Sequence, residues 1–298
     1  MKINGVTIDD TFAEAFPMKA TRIIITALNL KWAYHSANAM TGFATSVIAC
    51  GCESSIEKEL KPSETPDGRP GLSVLLFTMS KKEMIKQIQN RVGQCVLTSP
   101  TSACFSGMHE GEKLALGKNL RYFGDGHQIA KKIDGVRYWR IPAMDGEFLV
   151  EESTHMTKAI GGGNFLVLAE NQEVALKACE KAIVAMKKIP DVIMPFPGGV
   201  VRSGSKVGSK YPTLPASTND AFCPTLKGQV KSELDSSIGS VMEIVIDGLS
   251  QEAISEATRV GVLAACSLGS KKGIKRISAG NYGGNLGPHH FHLRKILK

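Results

Sequence analysis

One order of elements runs through this chain twice, and that repetition constrains its fold more than any single motif. Thr21-Arg22-Ile23-Ile24-Ile25-Thr26 is a β-branched run that reads as a buried strand, and residues 29–40 then place Leu30, Ala33, Tyr34 and Ala37 at helical spacing. Gly42-Phe43-Ala44-Thr45-Ser46-Val47-Ile48 reads as the next strand. After a loop, residues 72–78 read as a third strand, and Ser80, an N-cap residue type, opens a helix with Met84, Ile85, Ile88 and Val92 along one stripe. Cys95-Val96-Leu97-Thr98 reads as a closing strand. The second half repeats this: strand 164–168, helix 172–187 with Val174, Ala178 and Ala182 inward, strand 191–194, a long loop, strand 241–246, helix 251–265 and a last strand near 274–278. The spacing matches too, Arg91 lying eighteen residues after Ser73 and Arg259 eighteen after Val241, each followed by Val-Gly.

Each half therefore reads as a split β-α-β, or ferredoxin-like, lobe, and the fold class as α+β. The expected division is 1–145 and 146–298. A β-rich segment across 105–161, including Val136-Arg137-Tyr138-Trp139-Arg140-Ile141, reads as inserted between or onto the lobes.

The 298 residues suffice for two compact units, and 43% apolar with 21% charged residues excludes a disordered chain. No window reaches the roughly 18 consecutive apolar residues of a membrane span, and the first residues lack a signal-peptide core, so a cytoplasmic protein is expected. Seven scattered cysteines form no disulfide framework, and Cys50-Gly51-Cys52 has no second pair to complete a zinc site. The net charge of +8 is spread over both halves and aromatics are 6%, which points to anionic small substrates rather than nucleic acid.

Several stretches carry candidate chemistry. Ser63-Glu64-Thr65-Pro66-Asp67-Gly68-Arg69-Pro70-Gly71 is a loop stiffened by two prolines, and it reads either as a positioning surface or as an ordered connector in which Arg69 pairs with Glu64 or Asp67. Gly199-Val200-Val201-Arg202-Ser203-Gly204-Ser205-Lys206 resembles a phosphate loop but has Ser205 between the second Gly and Lys206, so nucleotide hydrolysis is not expected. Gly161-Gly162-Gly163 precedes a strand, the wrong order for a dinucleotide fingerprint. The glycine-rich loops at 195–210 and 278–288 read either as oxyanion or carboxylate donors or as tight turns. His289-His290-x-His292 lacks an acidic or cysteine partner and reads as a solvated tail rather than a metal site. Glu243 interrupts the apolar run 241–246: alternation sets it with Val245 and Asp247, opposite Met242, Ile244 and Ile246. It is ordinary surface if that face meets solvent, and a carboxyl of raised pKa if the face meets a cleft.

Taken together, Phe12-Ala13-Glu14-Ala15-Phe16-Pro17, 41–48, 63–71, 93–98, Pro195-Phe196-Pro197-Gly198-Gly199, Ser203-Gly204-Ser205-Lys206, Phe222-Cys223-Pro224, Glu243-Ile244-Val245-Ile246 and 277–284 resemble the formylmethanofuran:tetrahydromethanopterin formyltransferases from end to end. The resemblance implies a metal-free enzyme of archaeal or methylotroph one-carbon metabolism, without a permanently bound cofactor. It also implies a homotetramer built as a dimer of dimers, with a proximal lobe at 1–145 and a distal lobe at 146–298. Its substrates would be formylmethanofuran and tetrahydromethanopterin, with no nucleic acid or membrane partner.

Formyl transfer between nitrogens passes through a tetrahedral intermediate and requires proton traffic and oxyanion stabilisation, but no side-chain nucleophile. The resemblance moves Glu243 to the active site as proton donor and carbonyl polariser. By the same route Gly198, Gly199, Ser205, Asn281, Tyr282 and Gly283 become candidate oxyanion or substrate contacts. Arg202, Lys206, Lys210 and Arg69, with Glu64 and Asp67 beside it, become candidates for holding the substrates' acidic groups. Two alternatives remain open: an inactive paralogue serving as a pterin-binding or scaffold subunit, and a formyl hydrolase whose site admits water. The sequence departs from salt-dependent members in being basic rather than acidic, and its Thr101-Ser102-Ala103-Cys104-Phe105-Ser106 stretch and histidine tail are less typical.

Overall fold

The computed structural model describes all residues, 1–298, as a mixed α/β protein. The chain forms two compact units, one of Met18–Ala159 and one of Met1–Pro17 with Ile160–Lys298. In these units the first residues pack with the C-terminal half, and the segment up to 159 packs with the other.

In the Met18–Ala159 unit the chain runs through β1 (Phe12–Thr26), α1 (Leu30–Thr41), β2 (Glu53–Leu60), β3 (Gly71–Thr78), α2 (Lys81–Arg91) and β4 (Ala103–Ser106). The antiparallel order is β2-β3-β1-β4. β3 is buried throughout and packs through Leu72, Val74 and Leu76 against Ala33, Ala37 and Met40 of α1 and Met84 and Ile88 of α2. Beyond β4 the β-rich segment extends the sheet, Gly146–Glu151 pairing parallel to it and Val136–Ala143 and Ile129–Ile133 following antiparallel.

Two expected strands are displaced here. Residues 42–48 do not form one: Phe43 takes φ +49, the Ser46 hydroxyl accepts the Ile48 N–H (3.3 Å), and a single helical turn, Val47–Cys50, precedes β2. β2 escapes the apolar pattern because it carries Glu53 and Glu57 inward, Glu57 meeting Arg22 at 2.8 Å and accepting the Ser73 hydroxyl at 2.6 Å. Residues 95–98 are not a strand either. The helix widens into a π turn, Val92–Val96, closed by Leu97 N–H to Val92 C=O (2.9 Å), and the fourth strand comes later.

The other unit repeats the plan with β5 (Ser153–Ala169), α3 (Gln172–Met186), β6 (Val192–Ile193), β7 (Ser240–Gly248), α4 (Gln251–Cys266) and β8 (Ile274–Ser278). Here the antiparallel order is β6-β7-β5-β8, the same arrangement in space, with Val6–Ile8 added parallel to β8. Ile244 and Ile246 of β7 and Phe165 and Val167 of β5 face the helices. α4 comes close to α3 at Gly261, where a Cβ would stand 2.5 Å from Met186 Sδ. All four long helices start alike, Asn29, Ser80, Asn171 and Ser250 each accepting the N–H three residues on. The histidine tail is not solvated: His289–His292 pairs with β1 from Phe12 to Ala15, and Phe291 and Leu293 lie in the core. No helix is long and apolar enough to cross a membrane.

Candidate functional site

Glu243 sits in β7 with its main chain paired on both sides, to Leu166 of β5 and to Val201. Alternation sends its neighbours Ile244 and Ile246 to the helical core, so its side chain leaves from the opposite face. That face is only partly open to water, Glu243 and Val245 being half-buried. The long segment between β6 and β7 folds back over it, packing Phe222, Leu234 and Ile238 on Leu166, Leu168 and Val241.

A small cavity of about 50 Å³ remains under this cover, lined in part by Glu243, Val201, Arg202, Ser205, Asn281 and Tyr282. Glu243 therefore opens onto a cleft. Desolvation raises its carboxyl from the ordinary 4.5 to about 7, and no hydrogen bond or ion pair of its side chain opposes that. The protonated form is populated near neutrality, as a proton donor to a carbonyl or amine requires.

Two loops close the cavity. The first is 201–205, which pairs with β7 through Val201 and follows a turn at Pro197–Gly199 in which Gly198 and Gly199 take φ +63 and +85. The second is 280–287, where the Gly280 N–H donates to Asn164 Oδ1 (2.7 Å), Asn281 Nδ2 donates to Thr11 Oγ1 (2.9 Å) and the Tyr282 hydroxyl donates to Ser205 C=O (3.2 Å). The Tyr282 phenol is pushed up, first by desolvation and then by the nearby Glu243 and Glu14 charges.

The structure thus gathers Glu243, Arg202, Ser205, Asn281 and Tyr282 around one cavity. The other expected residues stand differently. Gly198 and Gly199 shape the turn, and Gly283, at φ +75, lies within the 280–287 loop but outside the cavity lining. Lys206 is paired with Asp220 at 2.8 Å, while Lys210 is exposed. Glu64, Asp67 and Arg69 lie in the other unit and are engaged locally. Glu64 Oε2 accepts the Lys61 N–H (2.9 Å), and Arg69 meets Asp67 (2.8 Å), Thr101 C=O (2.6 Å) and Thr26 Oγ1 (3.1 Å). The loop 63–71 is accordingly held by the Arg69–Asp67 pair at its centre and by that pair's bonds to Thr26 and Thr101.

Two residues passed over in the sequence prove to support the site: Asn164, which clamps Gly280, and Glu14, whose carboxylate accepts N–H groups from the 280–287 loop. The available signal was a polar residue inside an otherwise apolar strand, the same signal that marks Glu243. The histidines hold no metal geometry, since nowhere do three or more His, Cys, Asp or Glu side chains group as ligands.

Comparison with known proteins shows the family. A family model described as "Formylmethanofuran-tetrahydromethanopterin formyltransferase" matches residues 1–143, and one described as "FTR, proximal lobe" matches 146–296. The proximal label therefore belongs to the second half, not to 1–145 as expected. A formylmethanofuran–tetrahydromethanopterin formyltransferase of Methylococcus capsulatus is 72% identical over 297 residues, covering 100% of both chains. Among solved structures, a chain of the formyltransferase/hydrolase complex of Methylorubrum extorquens, determined with methylofuran, superposes with a TM-score of 0.97 at 51% identity, over 100% of this chain and 99% of that one. The formylmethanofuran:tetrahydromethanopterin formyltransferase of Methanosarcina barkeri superposes with a TM-score of 0.94 at 44% identity, over 99% of this chain and 100% of that one. The chain belongs to the formylmethanofuran–tetrahydromethanopterin formyltransferase family.

Proposed function

We propose that this protein is an N-formyltransferase moving a formyl group between the amine of formylmethanofuran and N5 of tetrahydromethanopterin, with Glu243 as its acid. The observation that carries the residue assignment is the desolvated Glu243 carboxyl, raised to about 7 and facing the cavity. In the forward direction N5 attacks the formyl carbon and the carbonyl oxygen takes up negative charge. Protonated Glu243 polarises that oxygen, and collapse of the tetrahedral adduct expels the methanofuran amine, which takes up a proton while N5 gives one up. The amine is itself the nucleophile, so no covalent enzyme intermediate is required. Arg202, Ser205 and Asn281 on the cavity wall supply donors, and Arg202 enters no ion pair within the chain.

The finer architecture follows the same reading. Each unit orders its four repeated strands as fourth, first, third, second, with a helix after the first and third, which supports two ferredoxin-like lobes. A cytoplasmic homotetramer is the state the family resemblance implies. A second reading is favoured by the match to a chain of a formyltransferase/hydrolase complex: this chain as one subunit of a larger assembly. The mass of the natively purified protein separates the two, a multiple of the 32.0 kDa chain against a complex with other polypeptides.

The test of the activity is direct. Purified protein with formylmethanofuran and tetrahydromethanopterin yields 5-formyl product. Free formate instead indicates a hydrolase, and no turnover an inactive scaffold.

A further inference from the structure

Glu14 touches nothing in the cavity, yet the loop that closes the cavity is wrapped around it. The residue is 1% exposed, between Ala13 and Ala15 of β1. Its Oε2 accepts the N–H of Tyr282 (2.8 Å) and of Gly284 (3.0 Å), and its Oε1 accepts that of Gly287 (2.8 Å) and that of Leu286. Its own N–H donates to Gly280 C=O (3.3 Å). Gly283 and Gly284, at φ +75 and +78, turn the backbone so that these N–H groups converge on one point. No Lys or Arg shares the carboxylate. Burial alone would raise it, but the four N–H donors hold it below the usual carboxylate range, so it stays anionic.

A buried anion satisfied entirely by one surface loop fixes that loop's shape. Asn281 and Tyr282 leave this anchored turn on the cavity side, where the Tyr282 hydroxyl reaches Ser205 on the opposite loop. We infer that Glu14 is a positioning residue for formyl transfer: its carboxylate sets the 280–287 loop so that Asn281 and Tyr282 form one wall of the Glu243 cavity. It acts through those residues and not on the substrate. The inference rests on reading that cavity as the transfer site.

Replacing Glu14 by Gln puts an amide donor against two N–H groups, and Glu14→Asp keeps the anion one methylene short. The test is a kinetic cycle of Glu14→Gln, Tyr282→Phe and the double variant, with Glu14→Asp and Glu243→Gln assayed alongside. Glu14→Gln is expected to lower kcat/KM by about tenfold to a hundredfold, as a small misplacement of a site wall does. Glu14→Asp should recover part of that loss. The double variant should fall short of the product of the single effects by about threefold or more, because both act through one loop. If Glu14→Gln does not fold, the cycle is run with Glu14→Asp. Multiplicative effects, or wild-type kcat/KM in Glu14→Gln, overturn the proposal while an impaired Glu243→Gln leaves the site reading intact. Wild-type turnover in Glu243→Gln removes the site reading, and the role of Glu14 with it.

Discussion

Glu243 and Val201 exchange both main-chain hydrogen bonds, N–H to C=O at 2.9 Å in each direction, in a pairing that extends to no neighbouring residue. Farther along the same edge of β7, Val192 and Ile193 hold the places opposite Gly248 and Asp247. Val201 continues that edge for one residue. The consequence is functional: the loop carrying Arg202 to Ser205 is pinned to the strand that carries the acid, and the carboxyl is half-buried without being paired.

That pinning depends on the turn before it, and the two glycines there carry different loads. A Cβ at Gly199 would stand 2.4 Å from Ile183 Cδ1 with φ at +85, whereas one at Gly198 meets nothing within 4 Å. Gly199→Ala is expected to destabilise by about 2 kcal/mol or more, through overpacking added to backbone strain. Gly198→Ala should cost only about 1 kcal/mol, from the left-handed backbone alone. Denaturant midpoints of the two variants check this, and equal losses would show that the turn repacks freely.

The raised pKa of Glu243 makes a prediction about stability. A carboxyl whose folded pKa, about 7, exceeds its ordinary 4.5 binds its proton more tightly when folded, so its penalty is absent below 4.5, grows between 4.5 and 7 and is complete above 7. Glu243→Gln, always neutral, should therefore be more stable than the parent at pH 8 by up to about 3 kcal/mol, with the advantage fading toward pH 5. Thermal unfolding across that range reads it. An advantage independent of pH would mean that desolvation of the charge is not the cause.

Arg69 holds the 63–71 loop through Asp67, Thr101 and Thr26. Arg69→Ala leaves the Asp67 carboxylate and the Thr101 carbonyl without that donor, and a loss of about 1–3 kcal/mol in stability is expected. Substrate saturation curves for the same variant read out any separate part in holding an acidic substrate group, which would appear as a raised KM at unchanged kcat.

Much of the fold was legible because it is written in apolar periodicity. The strand around Ile23 to Ile25, the strand 72–78 and all four long helices stand at or within a few residues of their expected places, since burial on one face enforces the period. What failed was local. The strand containing Glu53 and Glu57 hides behind two carboxylates: Glu57 is met by Arg22 and Ser73, neither near in sequence, and Glu53 accepts the Val47 N–H. The π turn at Val92–Val96 and the residues after it carry the short run Cys95-Val96-Leu97-Thr98, which reads as a strand because it is too brief to show helical periodicity. Even the matched Arg-Val-Gly triplets part company: Arg91 donates to the carbonyls of Met40, Gly42 and Phe43, while Arg259 pairs with Glu256 on its own helix.

For the site, the sequence offered Glu243 with two readings and no way to choose. The choice lies in Phe222, Leu234 and Ile238 covering the second face of the sheet, a long-range packing event without periodic signature. Glu14 carried the signal of a polar residue in an apolar run, but its role was not legible, since its partners lie about 270 residues away and are main-chain N–H groups that any sequence would supply.

The central claim is that one desolvated carboxyl group serves as the acid in formyl transfer. Its most direct measurement is the steady-state turnover of Glu243→Gln against the parent, with both coenzymes saturating and across pH 5.5 to 9. The account predicts a fall in kcat of about 10²–10⁴-fold, and in the parent a decline above about pH 7, as the donating proton is lost, that the variant no longer shows. Parent-like turnover in the variant, or the same pH profile in both, would contradict it.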